Sequence, residues 1–220
     1  MFSASYLIQR LMMVPIVLIA LTFHEFSHGF VSSKLGDPTP KLTGRLTLNP
    51  LAHLDPVGAL LMVVTGFGWA KPVQIDPRYY KNPKWGMAIT AAAGPLSNLL
   101  MAFVSMLIYT IILIISYKTG AISMNAANSI GNFLYLFSYV NLSFLVFNII
   151  PIPPLDGSRV LGIFLSSEAY FKLQQYERYS FILIIVLSLT GAFGHIIGTG
   201  VEFFMTGIVN ICNAIAMAVI

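Results

Sequence analysis

His24, Glu25 and His28 stand in the order H-E-x-x-H inside an apolar run, an arrangement suited to metal-assisted hydrolysis. On a helix, positions four apart share a face, so both imidazoles can reach one cation, while Glu25 stands one position round, placed to hold a water. An ionisable residue inside a membrane-spanning helix costs about 2.5 kcal/mol or more unless it is paired or faces water. Three such residues so close together demand compensation, and a bound metal ion supplies it.

Two imidazoles leave a catalytic zinc site incomplete, since such sites use three protein ligands and keep one position open. Asp156 is the expected third ligand. It follows Asn148, Pro151, Pro153 and Pro154 in a stretch where the prolines break the helix and let a carboxylate point inward. Asp156 would also suit the N-cap of a helix running from Ser158, but its depth matches that expected for His24 and His28. With one Zn²⁺ per chain on these ligands, Glu25 is the expected general base. Donors for the developing oxyanion are sought among Asn98, Asn148 and His53. Each of these could equally be a structural hydrogen bonder.

Hydrophobic residues make up 57% of the 220 positions and charged residues only 9%, which implies an integral membrane protein rather than a soluble domain. The net charge of +4 is spread over loops without a basic, aromatic-laced stripe, so nucleic acid is excluded as a partner. Cys212 is the single cysteine, which rules out an intrachain disulfide and a thiolate cluster. Any metal must therefore be held by histidine and carboxylate.

The elements that must position these residues are apolar spans. The expected fold is an all-α polytopic membrane protein with about five transmembrane helices. Three of them, over about residues 7–33, 85–117 and 130–150, form a catalytic core within residues 1–168. Residues 169–220 are expected to form a C-terminal helical hairpin that turns at the glycine-rich stretch 191–200. Each core segment can cover a hydrocarbon layer of about 30 Å. In residues 42–48, apolar and polar positions alternate, a period of two that predicts a strand. Residues 57–68 are apolar but too short to cross, which predicts a re-entrant or membrane-resting hairpin, so that residues 41–75 form a small membrane-associated strand and re-entrant region. Lys34, Lys41, Arg45, Lys71, Arg78, Lys81 and Lys84 follow the first span, whereas Arg10 and Lys118 fall on the other side. The positive-inside rule then puts the N-terminus outside, and at 1.5 Å per residue the motif sits toward the cytoplasmic face of a plasma membrane.

Together these residues resemble the site-2 protease family of intramembrane zinc metalloproteases. The resemblance rests on His24-Glu25-x-x-His28, on Gly94-Pro95-Leu96-Ser97-Asn98, and on Asn148-x-x-Pro151-x-Pro153-x-Leu155-Asp156-Gly157. Asn49-Pro50-x-x-His53-x-Asp55-Pro56-x-Gly58 and Gly68-Trp69-Ala70-Lys71-Pro72 are similar to the short prokaryotic branch, without PDZ-like or nucleotide-sensing domains. The resemblance implies His24, His28 and Asp156 as zinc ligands, Glu25 as catalytic acid/base, and Asn98 and Asn148 near the substrate. It also implies cleavage of transmembrane segments of other membrane proteins within the lipid bilayer. The alternatives are a non-proteolytic scaffold or ion-path protein that retains the metal motif, and a hydrolase of lipids or small amphiphiles. The oligomeric state is not legible.

Overall fold

The structure is a computed structural model in which residues 4–58 and 70–219 are described. It is helical, and among the described residues the only β-type pairing is one isolated antiparallel bridge between Leu54 and Ala70. Among the described residues, four helices are long and apolar enough to cross a membrane: Met13–Lys34, Pro83–Thr119, Met124–Ile149 and Ala192–Val219. About five were expected. The difference lies at Glu177–Leu189, whose 13 residues rise about 20 Å and fall short of a hydrocarbon core of about 30 Å.

The chain divides into two compact units, one of Met1–Ser97 with Asn148–Ser180, the other of Asn98–Phe147 with Phe181–Ile220. In the first unit, α1 (Ala4–Lys34) carries the His-Glu motif and tolerates Pro15. It ends because Gly36 takes φ +106°, while Gly36 N–H donates to Ser33 O and Asp37 N–H donates to Ser32 O. This double closure is the Schellman arrangement, and it folds Asp37 back over the last turn of the helix.

The short helix α2 (Thr39–Leu42) follows, then α3 (Pro50–His53), both packed on α1. The strand expected over residues 42–48 does not form. Leu42 ends a helix, the Thr43 hydroxyl donates back to Thr39 O, Gly44 takes φ +67°, and both Arg45 and Leu46 N–H donate to Pro40 O. The apolar alternation arises along a turn instead of an extended chain. Most of the hairpin expected over residues 57–68 lies outside the described residues.

Residues 71–76 lie outside regular secondary structure, Asp76 being extended, and a 3₁₀ turn at Pro77–Tyr79 leads into α4 (Pro83–Thr119). After α5 (Met124–Ile149), the proline-rich stretch passes into α6 (Asp156–Leu161), followed by α7 (Ser167–Gln175). Gly157 is required there, because a Cβ would lie 2.1 Å from the carbonyl oxygen of Ile149.

In the second unit, the latter part of α4 packs with α5 and with α9 (Ala192–Val219), which follows α8 (Glu177–Leu189). Ala102, Met106, Leu142, Leu145, Val146, Val201, Met205, Ile208 and Cys212 form the core. Buried hydrogen bonds cross it: Ser138 Oγ donates to Ala102 O at 3.0 Å, and Asn98 Nδ2 donates to Asn141 Oδ1 at 3.0 Å. The glycine-rich stretch 191–200 was expected to be the turn of a hairpin. Only Gly191, with φ +75°, breaks the chain, and α9 runs on through Gly194, Gly198 and Gly200. Gly200 belongs in a packed helix, since a Cβ there would lie 2.6 Å from the Val146 side chain.

Candidate metal centre

His24 and His28 lie on one face of α1, and α6 brings Asp156 to them. All three are buried. The Nε2 atoms of His24 and His28 are 3.0 Å apart, and Asp156 Oδ2 lies 3.2 Å from each. The imidazoles meet edge to face, with centroids 4.6 Å apart at 88°. Asp156 does not cap its helix. Leu155 occupies the N-cap position and Asp156 is the first helical residue, leaving its carboxylate free to turn inward.

The donor set asks for a cation. His28 Nδ1 lies 2.8 Å from the carbonyl oxygen of Thr90, which can only accept, so Nδ1 carries the proton and Nε2 of the neutral ring is bare. That bare nitrogen faces a second imidazole nitrogen and the Asp156 oxygen, which is buried and accepts no hydrogen bond. A proton could relieve one of these contacts. Only a central cation relieves all three. Ligands on a tetrahedral zinc with bonds of about 2.0–2.1 Å lie about 3.3 Å apart, close to the triangle seen here. His24, His28 and Asp156 are also the group whose ligand atoms converge closely enough to hold a metal ion among the described residues.

Helix α4 closes the site from one side. A Cβ on Gly94 would lie 2.5 Å from the His28 ring and 2.6 Å from that of His24, so only glycine lets this backbone approach both imidazoles. Gly94 opens the Gly94-Pro95-Leu96-Ser97-Asn98 motif, and the neighbours it admits are the two histidines.

Glu25 is half-buried on the adjacent face of α1, and its Oε2 accepts a hydrogen bond from Val73 N–H at 2.9 Å. The segment of residues 71–76 passes that face at Val73. Val73 packs on Gly29, where an added Cβ would lie 3.3 Å from both Val73 and Pro40, and Lys71 N–H donates to His53 O at 2.8 Å.

His53 is buried with its Nε2 donating to Thr47 O at 2.9 Å, a bond that pins its loop. Asn98 Nδ2 donates to Asn141 Oδ1 inside the second unit. Asn148 is half-buried in the last turn of α5.

Sequence reasoning missed Thr90, Tyr80, Ser32 and Asp37, which are buried and hydrogen-bonded in series beside the site. The signal available was Gly36-Asp37-Pro38, a helix stop with a carboxylate attached. Burial opposes ionisation of Asp37. Hydrogen bonds from Thr39, from Asp76 N–H and from Ser32 outweigh it and hold the carboxyl below its usual range. Burial likewise pushes the Tyr80 phenol up.

Residues 12–191 match the family described as Peptidase family M50. The chain is 39% identical over 180 residues to "Putative zinc metalloprotease YwhC" of Bacillus subtilis, covering 81% of this chain and 80% of that protein. It is 28% identical over 184 residues to "Putative zinc metalloprotease Rip2" of Mycolicibacterium smegmatis, covering 80% of this chain and 65% of the relative. The Mycobacterium tuberculosis protein of the same name is 25% identical over 178 residues, of which the chain covers 64%. No solved structure matches the chain. The chain belongs to peptidase family M50, the site-2 protease family, and is a metalloprotease with several membrane-spanning helices.

Proposed function

We propose that the protein is a zinc-dependent intramembrane endopeptidase that cuts peptide bonds within the transmembrane segments of other membrane proteins. The observation that carries this reading is the convergence of three buried ligand atoms, within 3.0–3.2 Å of one another, two of them on a helix apolar enough to span a membrane and the third on the short helix α6. His24, His28 and Asp156 would hold the zinc. Bound there, the ion supplies Lewis-acid polarisation of the scissile carbonyl and acidifies the attacking water.

The remaining work falls to the chain. Glu25 takes the proton of the attacking water and passes it to the leaving amine. Its Oε2 is engaged by Val73 N–H, so Oε1 is the oxygen left to carry that proton. Thr90 holds His28 in the tautomer that offers Nε2. Asn98, Asn148 and His53 as groups near the substrate rest on the motif resemblance alone. The seven basic residues between Lys34 and Lys84 support an N-terminus outside the plasma membrane and a site toward the cytoplasmic face. A scaffold or ion-path role finds no support in the family match.

The test is Glu25→Gln in the full chain, reconstituted in lipid vesicles with single-span membrane proteins as substrates. Cleavage inside the span should disappear while zinc stays bound. Cleavage at the wild-type rate would refute the assigned base.

A further inference from the structure

We propose that Asp37 and Tyr80 are positioning residues for the metal centre, acting through a polarised chain of hydrogen bonds that ends on the residue holding His28. The inference rests on the reading of His24, His28 and Asp156 as zinc ligands and deepens it.

The chain can be followed atom by atom. Ser32 Oγ donates to Asp37 Oδ2 at 2.7 Å, Ser32 Oγ and Tyr80 OH are 2.7 Å apart, and Tyr80 OH and Thr90 Oγ1 are 3.1 Å apart. A hydroxyl has one proton to give. Ser32 spends its proton on Asp37, so Tyr80 must donate to Ser32, and Thr90 must donate to Tyr80. Every proton in the series is therefore directed toward one carboxylate. Asp37 sets that direction, and it takes two further donors, Thr39 N–H at 2.8 Å and Asp76 N–H at 2.8 Å.

The series ends on Thr90, whose own carbonyl oxygen accepts from His28 Nδ1. Thr22, Ser27, Thr110 and Ser143 use their hydroxyls in the ordinary way for a helix, donating to the carbonyl four residues back. Thr90 turns to Tyr80 instead. Ser32, Thr90 and Asp37 are at most 1% exposed and Tyr80 is 5% exposed, so water does not compete for these bonds. Gly86 makes room for the phenol: a Cβ there would lie 2.4 Å from the Tyr80 ring.

Two residues outside the spans thus fix α4 against α1 at the level of the ligands. Asp37 also anchors the segment of residues 71–76 through Asp76, and the same segment delivers Val73 N–H to Glu25. A partner bonded directly to a ligand, as Thr90 is to His28, affects metal affinity by about 10- to 100-fold, and residues acting through Thr90 are expected at the lower end of that range.

The test measures zinc affinity by chelator competition, and the visible spectrum of the Co²⁺-loaded protein, on the detergent-purified full chain. The variants are Tyr80→Phe, Asp37→Asn, their double, Asp156→Ala, and Tyr79→Phe as an exposed neighbour. Tyr80→Phe keeps the ring over Gly86 and removes only the hydroxyl. It should weaken zinc about tenfold and shift the Co²⁺ bands, with helicity unchanged. Asp37→Asn should do the same, and the double should lose no more than the weaker-binding single variant, because both act through one series. If Asp37→Asn fails to fold, Tyr80→Phe decides alone. Wild-type affinity and spectrum in Tyr80→Phe, with zinc lost in Asp156→Ala, would overturn the proposal and leave the ligand assignment standing. A folded wild type that holds no zinc would overturn both.

Discussion

His28 donates its Nδ1 proton to the carbonyl oxygen of Thr90 at 2.8 Å, and this one bond decides which nitrogen of the ring faces His24 and Asp156. The bond depends on the approach of α4 to the His24 and His28 rings at Gly94. Gly94→Ala should therefore push the helices apart or rotate both imidazoles. We expect a destabilisation of about 1–3 kcal/mol, the range for overpacking a filled interior, together with loss of bound metal. Thermal unfolding and metal content of the purified variant check both. Full metal occupancy in Gly94→Ala would show that the contact is looser than 2.5 Å implies.

Val73→Pro removes the main-chain donor to Glu25 Oε2 along with the side chain packed on Gly29, at a position outside the helices where proline breaks no helical hydrogen bond. Turnover should fall about 10- to 100-fold, the scale of a misplaced catalytic group, with zinc retained. Val73→Ala, which keeps the N–H, should stay near wild type. Equal loss in both variants would mean that packing of Val73 on Gly29 matters and the hydrogen bond does not.

Asp37 gives a pH dependence whose sign follows from its depressed carboxyl. Burial disfavours the charge, but hydrogen bonds from Thr39, Asp76 and Ser32 favour it more. The folded-state value lies below the unfolded one, so its stabilisation is complete above about pH 4 and is lost as pH falls through the folded value. Asp37→Asn should be less stable than wild type at neutral pH and should converge on it in acid. Thermal unfolding in detergent across that range reads the difference. A constant gap down to the lowest pH would deny the carboxylate its role.

Asn98→Leu leaves the buried Asn141 carbonyl without its donor. The expected cost is about 1–2 kcal/mol, the upper range for hydrogen bonds between membrane helices, read as a lower midpoint of unfolding. Zinc affinity should not change. A loss of zinc with normal stability would instead tie Asn98 to the site.

The convergence of His24, His28 and Asp156 was legible because its causes are local: four-residue spacing defines a helical face, and prolines before Asp156 announce a broken helix. The spans followed from apolar length. What failed depended on single backbone choices. Residues 42–48 have the alternation of a strand, but Pro40 and Gly44 wind them into a helix end and turn, and Gly191 alone breaks a stretch whose other glycines are helical. Asp37, Ser32, Tyr80 and Thr90 were illegible for another reason. Their partners lie 5, 48 and 10 residues apart in the chain, with no periodicity linking them.

The most direct test of the central claim is the zinc content of the detergent-purified full chain beside Asp156→Ala, after zinc loading and washing. The three-ligand site predicts about one zinc per wild-type chain and its loss in the variant, with both proteins folded. A folded wild type without zinc, or a variant that holds it as tightly, would contradict the account.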